Sequence, residues 1–347
     1  MEHFNGTYEH CDCPGELVKL DAVGADSLQI ISGTIKNDVQ KDTHWIAQVC
    51  EQKGDYFKAK IVHKEGYTDE FFYQEVEVVL QHHTKPNTFT FRFLPSDGPV
   101  ACFKQVSKYY WTVSVTIDNQ EGIKPVTSFN PCVFDDAPSD LPNKEIHLCE
   151  VFANAGVEVD INEERSDIPF KSDGYFQAWN DDLLHTTMEQ HWCSYREEPQ
   201  WAVWVFCAGR HAKGLKVLGK MFDDIGPYHR QGVAVFYHAI ESDVPGNIFD
   251  QKQRKLWQDR MKFWTLCHEL GHSFNLRHTW DSVDVHNWIT DQDQPQIANF
   301  MHYPNQAPWN AHSYFKSFRY QFSRLNLLLL RHSPERNVRM GDAVWKH

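Results

Sequence analysis

The chain contains 347 residues, of which 41% are hydrophobic and 14% aromatic, and this content is sufficient for about two packed domains. Charged residues make up 23% of the chain, near the average for globular proteins, which excludes a wholly disordered polypeptide. Acidic residues outnumber basic ones by 47 to 34, so we expect no nucleic-acid partner. The longest aliphatic run, residues 327–330, is too short to cross a bilayer, and we expect no membrane span.

Residues 27–118 alternate polar and apolar side chains with a period of two, and they are rich in β-branched and aromatic residues. Short turn sequences separate these runs, as expected for an antiparallel β-sandwich or barrel. A segment rich in Pro, Asp and Asn follows at residues 125–143. We therefore predict an N-terminal, β-sandwich-like accessory domain over residues 1–140, whose last strand belongs either to this domain or to the next.

The remaining residues, 141–347, alternate between helical and strand patterns, which predicts an α+β or α/β domain. Three of the predicted elements are helices before the C-terminal region, at residues 144–155, 178–192 and 250–274. The predicted strands are residues 157–161, 201–207, 215–222 and 232–240, and a short apolar helix is predicted near residues 323–331.

The strongest chemical signal lies on the long predicted helix, where His268, Glu269 and His272 form an HExxH motif. Two histidines four residues apart share one helix face, so both imidazoles can bind one metal ion. Glu269 is rotated by about 100° from His268, which suits a base acting on water better than a metal ligand. The motif predicts a Zn²⁺ site, although a chain with twenty histidines can also carry it as an exposed, unliganded pair.

Catalytic zinc sites need a third protein ligand, and His278 follows His272 by six residues. The chain must turn sharply after the helix to return His278 to the metal. Asn275 stands at this turn, and asparagine tolerates a positive φ better than most residues. An alternative third ligand is Asp281 or Asp284.

The pattern HExxHxxNxxH precedes Asn299-Phe300-Met301-His302-Tyr303, and together these residues resemble the metzincin clan of zinc endopeptidases and its Met-turn. Met-His-Tyr is similar to the turn of the astacin and serralysin branches, whereas Asn275 replaces the usual glycine. Flanking segments resemble a little-characterised group of bacterial and fungal metallopeptidases. The resemblance implies a metzincin-like domain with a mixed twisted sheet, a long active-site helix and a loop-rich C-terminal subdomain.

The resemblance also implies roles for individual residues. His268, His272 and His278 are expected to bind Zn²⁺, and Glu269 is expected to act as the general base and then as the proton donor. Tyr303 is expected to stabilise the reaction intermediate, or else to be a packed aromatic residue. Met301 would form a hydrophobic floor. The protein or peptide substrate would pair with an edge strand near residues 215–222, and its side-chain pocket would lie near Trp280 and residues 303–309.

We therefore predict a zinc metalloendopeptidase. The alternatives are a non-catalytic binding protein on a metzincin scaffold, whose β-rich domain recognises protein or glycan, and a hydrolase of non-peptide amides. A structural zinc site needs no general base, so Glu269 favours the enzyme.

The nine cysteines and the N-terminal sequence, which has no basic or apolar leader segment, predict free thiols and by default a cytoplasmic location. Secretion after loss of a leader is the alternative. A thiol of Cys11 or Cys13 that masks the zinc is a further alternative.

Overall fold

The structure is a computed structural model that divides the chain into two compact units. It describes residues 4–37, 41–69, 71–81, 85–95, 100–162, 167–170, 178–224, 228–246, 248, 250–281, 297–306 and 308–343. The first unit contains Met1–Trp111 together with Leu327–Pro334. The second contains Thr112–Val283, Asp293–Asn326 and Glu335–His347.

The first unit is a closed barrel of eight antiparallel strands, each paired with its neighbour in the chain. The strands are β1 (Gly6–His10), β2 (Leu17–Asp21), β3 (Ile30–Ile35), β4 (Thr43–Lys53), β5 (Tyr56–Glu65), β6 (Glu75–Leu80), β7 (Thr88–Leu94) and β8 (Ala101–Ser107). Pairing of β1 with β8 closes the barrel. Alternate residues of each strand point inwards, as Val76, Val78 and Leu80 do in β6, and the interior is packed with aromatic side chains.

A buried polar network also lies in this unit, where the last residues of helix α6 (Arg324–His332) meet strands of the barrel. Arg331 and His332 contact the carboxylate of Asp21 at 2.9 and 3.4 Å. The other ring nitrogen of His332, Nδ1, lies 2.9 Å from the hydroxyl of Ser32, and His44 Nε2 donates to the His332 carbonyl at 2.9 Å. These polar groups satisfy one another, as buried polar groups must.

The second unit contains a six-stranded mixed sheet and a separate two-stranded sheet. Its strands are β9 (Trp111–Gln120), β10 (Ser128–Phe129), β11 (Ile146–His147), β12 (Val157–Asn162), β13 (Asp167–Ile168), β14 (Ala202–Ala208), β15 (Gly219–Met221) and β16 (Gly232–Phe236). The larger sheet has the order β12-β9-β14-β16-β15, and β13 also pairs with β9. The strands β9, β14 and β16 are mutually parallel, whereas β15 pairs antiparallel with β16 at the end of this order.

The helices of the second unit are α1 (Leu148–Ala155), α2 (Asp181–His191), α3 (Tyr237–Ser242), α4 (Gln251–Ser273), α5 (Ala311–Ser317) and α7 (Glu335–Val338), and α6 begins there. Within the described ranges, no helix combines the length and apolar character needed to cross a bilayer.

The predicted fold class is wrong. The N-terminal strands form a closed eight-stranded barrel instead of a β-sandwich, and the rest is not the helix-and-sheet domain implied by the resemblance to metzincins. Alternating polar and apolar residues are expected in both a sandwich and a barrel, so the alternation cannot distinguish them. The pairing of β1 with β8 is what makes this unit a barrel. In the second unit, the larger sheet takes strand β9 from before the Pro-rich segment and pairs it with β14, which lies far along the chain.

Most individual elements lie close to their predicted positions, with a few shifts at their ends. The long helix α4 confirms the prediction for residues 250–274 to within one residue. Helix α1 begins four residues later than predicted, because Ile146–His147 pair with β10 as strand β11. The segment predicted as a strand at 232–240 turns into helix α3 at Tyr237, and the edge strand predicted at 215–222 shortens to Gly219–Met221.

Candidate metal centre

Helix α4 carries the first two predicted ligands and is held by caps and packing. Its N-terminus is capped by Asp250, whose side chain accepts a hydrogen bond from the backbone N–H of Gln253 at 2.9 Å. The helix contacts strands β15 and β16. Every residue from Arg260 to Ser273 is buried, including the HExxH motif. The two histidines are therefore presented within a packed core, where side chains have few alternative rotamers.

The turn after α4 brings the chain back towards the helix. Asn275 has a φ of +64°, which is the left-handed conformation predicted from the sequence. Its backbone N–H donates to the carbonyl of His272 at 2.8 Å, and its side chain donates to the carbonyl of Asn337 at 3.0 Å. The N–H of Leu276 then donates to the Gly271 carbonyl at 3.1 Å. These bonds satisfy carbonyls at the end of the helix and direct His278 back over its last turn.

The structure brings the three predicted ligands together. One ligand atom from each of His268, His272 and His278 lies within 4.8 Å of the other two. The ring centres of His268 and His272 are 4.6 Å apart, and those of His272 and His278 are 4.7 Å apart. His268 and His272 are almost fully buried, whereas His278 is partly exposed. Three imidazoles that converge in this way can bind a single metal ion and leave one coordination position open.

Hydrogen bonds assign the proton on two of these rings. The Nδ1 of His268 donates to the carbonyl of Phe300 at 2.6 Å, and the Nδ1 of His272 donates to the carbonyl of Leu276 at 2.8 Å, because a carbonyl oxygen can only accept. In the neutral rings, each Nε2 therefore carries a lone pair. The two Nε2 atoms lie 3.1 Å apart. Two nitrogen ligands on a tetrahedral zinc ion are separated by roughly 3.3 Å, so this arrangement fits a shared cation.

The third ring follows the same pattern, since Nδ1 of His278 lies 3.3 Å from a carboxylate oxygen of Asp281. Histidines that bind metals usually donate their second N–H to a carbonyl or carboxylate, which orients the ring. Burial, with His272 and His278 nearby, holds the pKa of His268 well below its usual value, so this ring stays neutral and able to bind a cation. Asp281 thus supports His278 rather than replacing it, and the alternative ligand Asp284 lies outside the described residues.

Glu269 lies beneath the edge strand β15. A Cβ atom placed on Gly219 of that strand would come within 2.7 Å of the Glu269 side chain and 2.5 Å of Thr265. A glycine is therefore required here for the strand to pass so close to the carboxylate. Burial raises the pKa of Glu269 to about 8, against the opposing effects of a hydrogen bond with the Met221 backbone and of the Lys220 charge. Glu269 is thus a buried carboxyl group beside β15, an antiparallel strand at one edge of the larger sheet.

The predicted Met-turn packs against the same helix. Met301 is fully buried, and its sulfur would lie 2.6 Å from a Cβ atom placed on Gly271. Gly271 costs a helix about 1 kcal/mol relative to alanine, and close approach of Met301 accounts for its presence. The turn is held by Asn299, whose side chain accepts from the Met301 N–H at 2.9 Å. Met301 therefore lies under the helix turn that carries His268 and His272, as the prediction of a hydrophobic floor expects.

Aromatic side chains frame the three histidines. Tyr303 is 41% exposed, and its ring centre lies 5.2 Å from that of His268 and 5.0 Å from that of His278. Trp264 stacks on His268 at 4.7 Å, and Trp280 stacks on His278 at 4.4 Å. Partial burial raises the pKa of Tyr303, so its hydroxyl keeps its proton and can donate a hydrogen bond at neutral pH. Tyr303 is thus the accessible polar group beside the metal-binding cluster.

Sequence reasoning missed several groups that complete this site. The carbonyl oxygens of Phe300 and Leu276 carry no side-chain signal, and only the fold reveals them as partners of the ligands. Gly219 lies in a strand far from the histidines in the chain. Trp264 precedes His268 by four residues on α4 and so shares its helix face, but it lies outside the HExxH motif. Trp280 was predicted only as part of a substrate pocket. Its stacking on His278 gives it a second role, because a ring held face to face with the ligand limits that ligand's rotation.

A second group of three metal-binding side chains occurs among the described residues, formed by His10, Cys13 and Glu16 in the loop between β1 and β2. Here Nδ1 of His10 accepts hydrogen bonds from the backbone N–H groups of Asp12 and Cys13, both at 3.0 Å. That lone pair is in use, and Nε2 carries the proton in the neutral ring. The hydrogen bonds of this group therefore oppose metal binding, whereas those of the three-histidine cluster favour it.

The chain was compared with known protein families and with curated proteins, and neither a family model nor a curated protein matches it. The assignment of a function therefore depends on the chemistry of the site itself.

Proposed function

We propose that this chain is a zinc-dependent endopeptidase whose metal ion is held by His268, His272 and His278. The observation that carries the proposal is the convergence of these rings, with the Nε2 lone pairs of His268 and His272 aimed at each other and each Nδ1 bound to a carbonyl. Their position beside Glu269 in a cleft lined by Tyr303 supports catalysis over purely structural binding. The resemblance of the motif to the metzincin clan supports a peptide as the substrate.

Bound Zn²⁺ would supply Lewis acidity, which lowers the pKa of water and polarises a carbonyl group. Glu269, whose ionised form the positive charge of a bound Zn²⁺ would favour, takes the proton from the attacking water and delivers it to the leaving amine. Tyr303 donates a hydrogen bond to the oxygen that gains negative charge. Two aromatic rings, Trp264 and Trp280, keep His268 and His278 in place during these steps.

Among the described residues, β15 pairs with a strand on one side only, so its other side can offer backbone hydrogen-bonding groups to an extended peptide. This strand is the last in the order of the larger sheet, and Gly219 in the strand lies against the Glu269 side chain. A peptide that pairs with β15 would therefore pass beside the general base, which favours cleavage within a chain over removal of terminal residues. Binding through backbone groups gives affinity for extended peptides of many sequences.

The test combines zinc analysis with cleavage of a mixed-sequence peptide library. Wild type should bind one zinc ion per chain and cut internal bonds. Glu269→Gln should keep the zinc but lose about 10²–10⁴-fold in kcat, the usual contribution of a general base. Glu158→Gln, at an exposed position of β12, is the matched control and should behave as wild type.

The other outcomes separate the alternatives. Zinc-loaded wild type that cuts no peptide would contradict the proposal and favour a binding protein. Hydrolysis restricted to non-peptide amides would indicate a different amide hydrolase. Equal cleavage by wild type and Glu269→Gln would exclude Glu269 as the base.

A further inference from the structure

Two cysteines face each other where the barrel closes. The register of β1 and β8 pairs His10 with Phe103, so the next residues in each direction, Cys11 and Cys102, are directly opposed. The backbone N–H of Cys11 donates to the carbonyl of Cys102 at 2.8 Å. Their Sγ atoms lie 2.7 Å apart. This is the only contact between two cysteine side chains among the hydrogen bonds of the described residues.

The backbone geometry of this pair suits a covalent link. Directly opposed residues of antiparallel strands have Cα atoms about 4.5–5.5 Å apart, within the range of about 4.4–6.8 Å that disulfides require. The two thiols are already in contact, so only a small adjustment of the side chains is needed. Cys11 is exposed and Cys102 is half-buried, which leaves the pair accessible to a small oxidant.

We propose that Cys11 and Cys102 form a reversible disulfide that joins β1 to β8 and closes the barrel covalently. A small-molecule disulfide is the oxidant. The thiolate of Cys11 attacks one of its sulfur atoms and releases one thiol, and the thiolate of Cys102 then displaces the second thiol from the mixed disulfide. The two protein thiols lose two electrons and two protons, and the oxidant is reduced to two thiols.

The other cysteines of the barrel lack this geometry. The side chain of Cys13 lies with His10 and Glu16, and the thiol of Cys50 in β4 lies 3.3 Å from the carbonyl of Lys58. Partial desolvation of the thiol, together with its contact with Cys102, raises the pKa of Cys11 to about 11. We therefore expect the exchange to be slow at neutral pH and faster at pH 9, since the thiolate is the attacking form.

The consequence concerns the stability of the barrel and is independent of the proposed zinc chemistry. A bond between residues 91 positions apart removes much of the freedom of the unfolded chain. The barrel should therefore be more resistant to unfolding after oxidation than after reduction.

The experiment incubates the full-length protein with oxidised glutathione at pH 8.5 or with a reducing agent. Disulfides are then mapped by mass spectrometry of unreduced peptides, and thermal unfolding is recorded. Wild type should yield a Cys11–Cys102 peptide, and its thermal midpoint should rise by about 5–10 °C on oxidation. Cys11→Ser and Cys102→Ser should lose both effects, and the matched variants Cys13→Ser and Cys50→Ser should keep them.

Three outcomes would overturn the proposal. The first is an oxidised protein in which Cys11 and Cys102 carry only glutathione. The second is a disulfide between Cys11 and Cys13. The third is a Cys11–Cys102 disulfide that persists after treatment with the reducing agent, since the link would then not be reversible.

Discussion

The barrel and the unit that contains α4 both bury histidines, but the hydrogen bonds of the imidazole rings differ between the two units. In the barrel, Nε2 of His44 donates to a carbonyl while Nδ1 lies 3.1 Å from the hydroxyl of Thr34, so both nitrogens have a hydrogen-bond partner. On α4, His268 and His272 donate through Nδ1 to carbonyls, and their Nε2 lone pairs face each other. Burial is therefore common to both kinds of histidine, and the hydrogen bonds distinguish a packing residue from a proposed metal ligand.

Removal of the metal tests this comparison most strongly. A chelator should abolish peptide hydrolysis, and stoichiometric Zn²⁺ should restore it, because no other group in the proposal supplies Lewis acidity. His272→Ala should bind no zinc at this site, whereas His44→Gln should bind as much as wild type. The measurements are zinc content by atomic absorption and activity on the peptide library. A His272→Ala protein that still binds one zinc ion with wild-type affinity would remove the distinction between the two kinds of histidine.

Gly219→Ala tests how closely β15 positions Glu269. The added methyl group would lie 2.7 Å from the carboxylate side chain, which must then move. A displacement of about 1 Å in a catalytic group costs on the order of 10² in rate, so kcat should fall about 100-fold while zinc content is unchanged. Gly246→Ala, at a glycine without a positive φ and with nothing within 4 Å of the added methyl group, is a control for zinc content and folding. Wild-type kcat in Gly219→Ala would show that Glu269 tolerates the shift.

Because the barrel buries two histidines in their neutral form, we expect its free energy of unfolding to depend on pH. Burial, with the charge of Lys19 nearby, lowers the pKa of His44 from 6.5 to about 3. As pH falls below 6.5, the unfolded chain binds a proton that the folded barrel does not, so the free energy of unfolding decreases. The loss attributable to His44 should be about 2 kcal/mol between pH 6.5 and pH 5. His332, whose pKa is also lowered by burial, acts in the same direction, whereas Asp21 stays ionised in this range.

Urea unfolding of the barrel at these two pH values checks the prediction. His44→Gln should be less stable than wild type at pH 6.5 but should lose less stability on going to pH 5. His312→Gln changes an exposed histidine and should retain the wild-type slope. An identical pH dependence in wild type and His44→Gln would show that the neutral form of His44 contributes nothing to this slope.

Tyr303→Phe gives the smallest expected effect. Loss of one hydrogen bond to the developing negative charge, worth about 1.5 kcal/mol at an exposed hydroxyl, should lower kcat about ten-fold, with little change in KM or zinc content. The ring remains in place, so its contacts with His268 and His278 are kept. The control is Tyr314→Phe, which removes a hydroxyl that donates to the Asn299 carbonyl within the Met301 turn. This control measures the effect of disturbing the turn without removing the hydroxyl of Tyr303. Unchanged turnover in Tyr303→Phe would leave this residue as a packing group.

The chemistry of the site was accessible from the chain because its residues are close in sequence. Helical spacing places His268 and His272 on one face of α4, and the left-handed preference of Asn275 returns His278 to them within six residues. The resemblance of the Met-turn located Met301 and Tyr303 near the same helix, and the structure places both there. Local geometry decides the contacts among the three histidines, so these follow from sequence, whereas the positions of Met301 and Tyr303 were expected only from the resemblance.

The elements of the fold were also largely predictable, and their assembly was not. The alternation in the first hundred residues specifies strands, but the hydrogen bonds between β1 and β8 that close the barrel join residues about a hundred positions apart. Likewise, β9 enters the larger sheet through β14, from which it is separated by α1 and α2. Such pairings depend on the order in which strands pack, which alternation does not encode.

The sequence by itself thus determined the strands, the long helix and the convergence of three histidines, because helix periodicity and turn preferences act over a few residues. Tertiary structure alone decided barrel closure, the Phe300 carbonyl as partner of His268, the approach of Gly219 to Glu269 and the opposition of Cys11 and Cys102. Each of these is a contact between backbone or side-chain groups distant in the chain. The free energy of such contacts comes from packing the whole unit, so no local pattern records them.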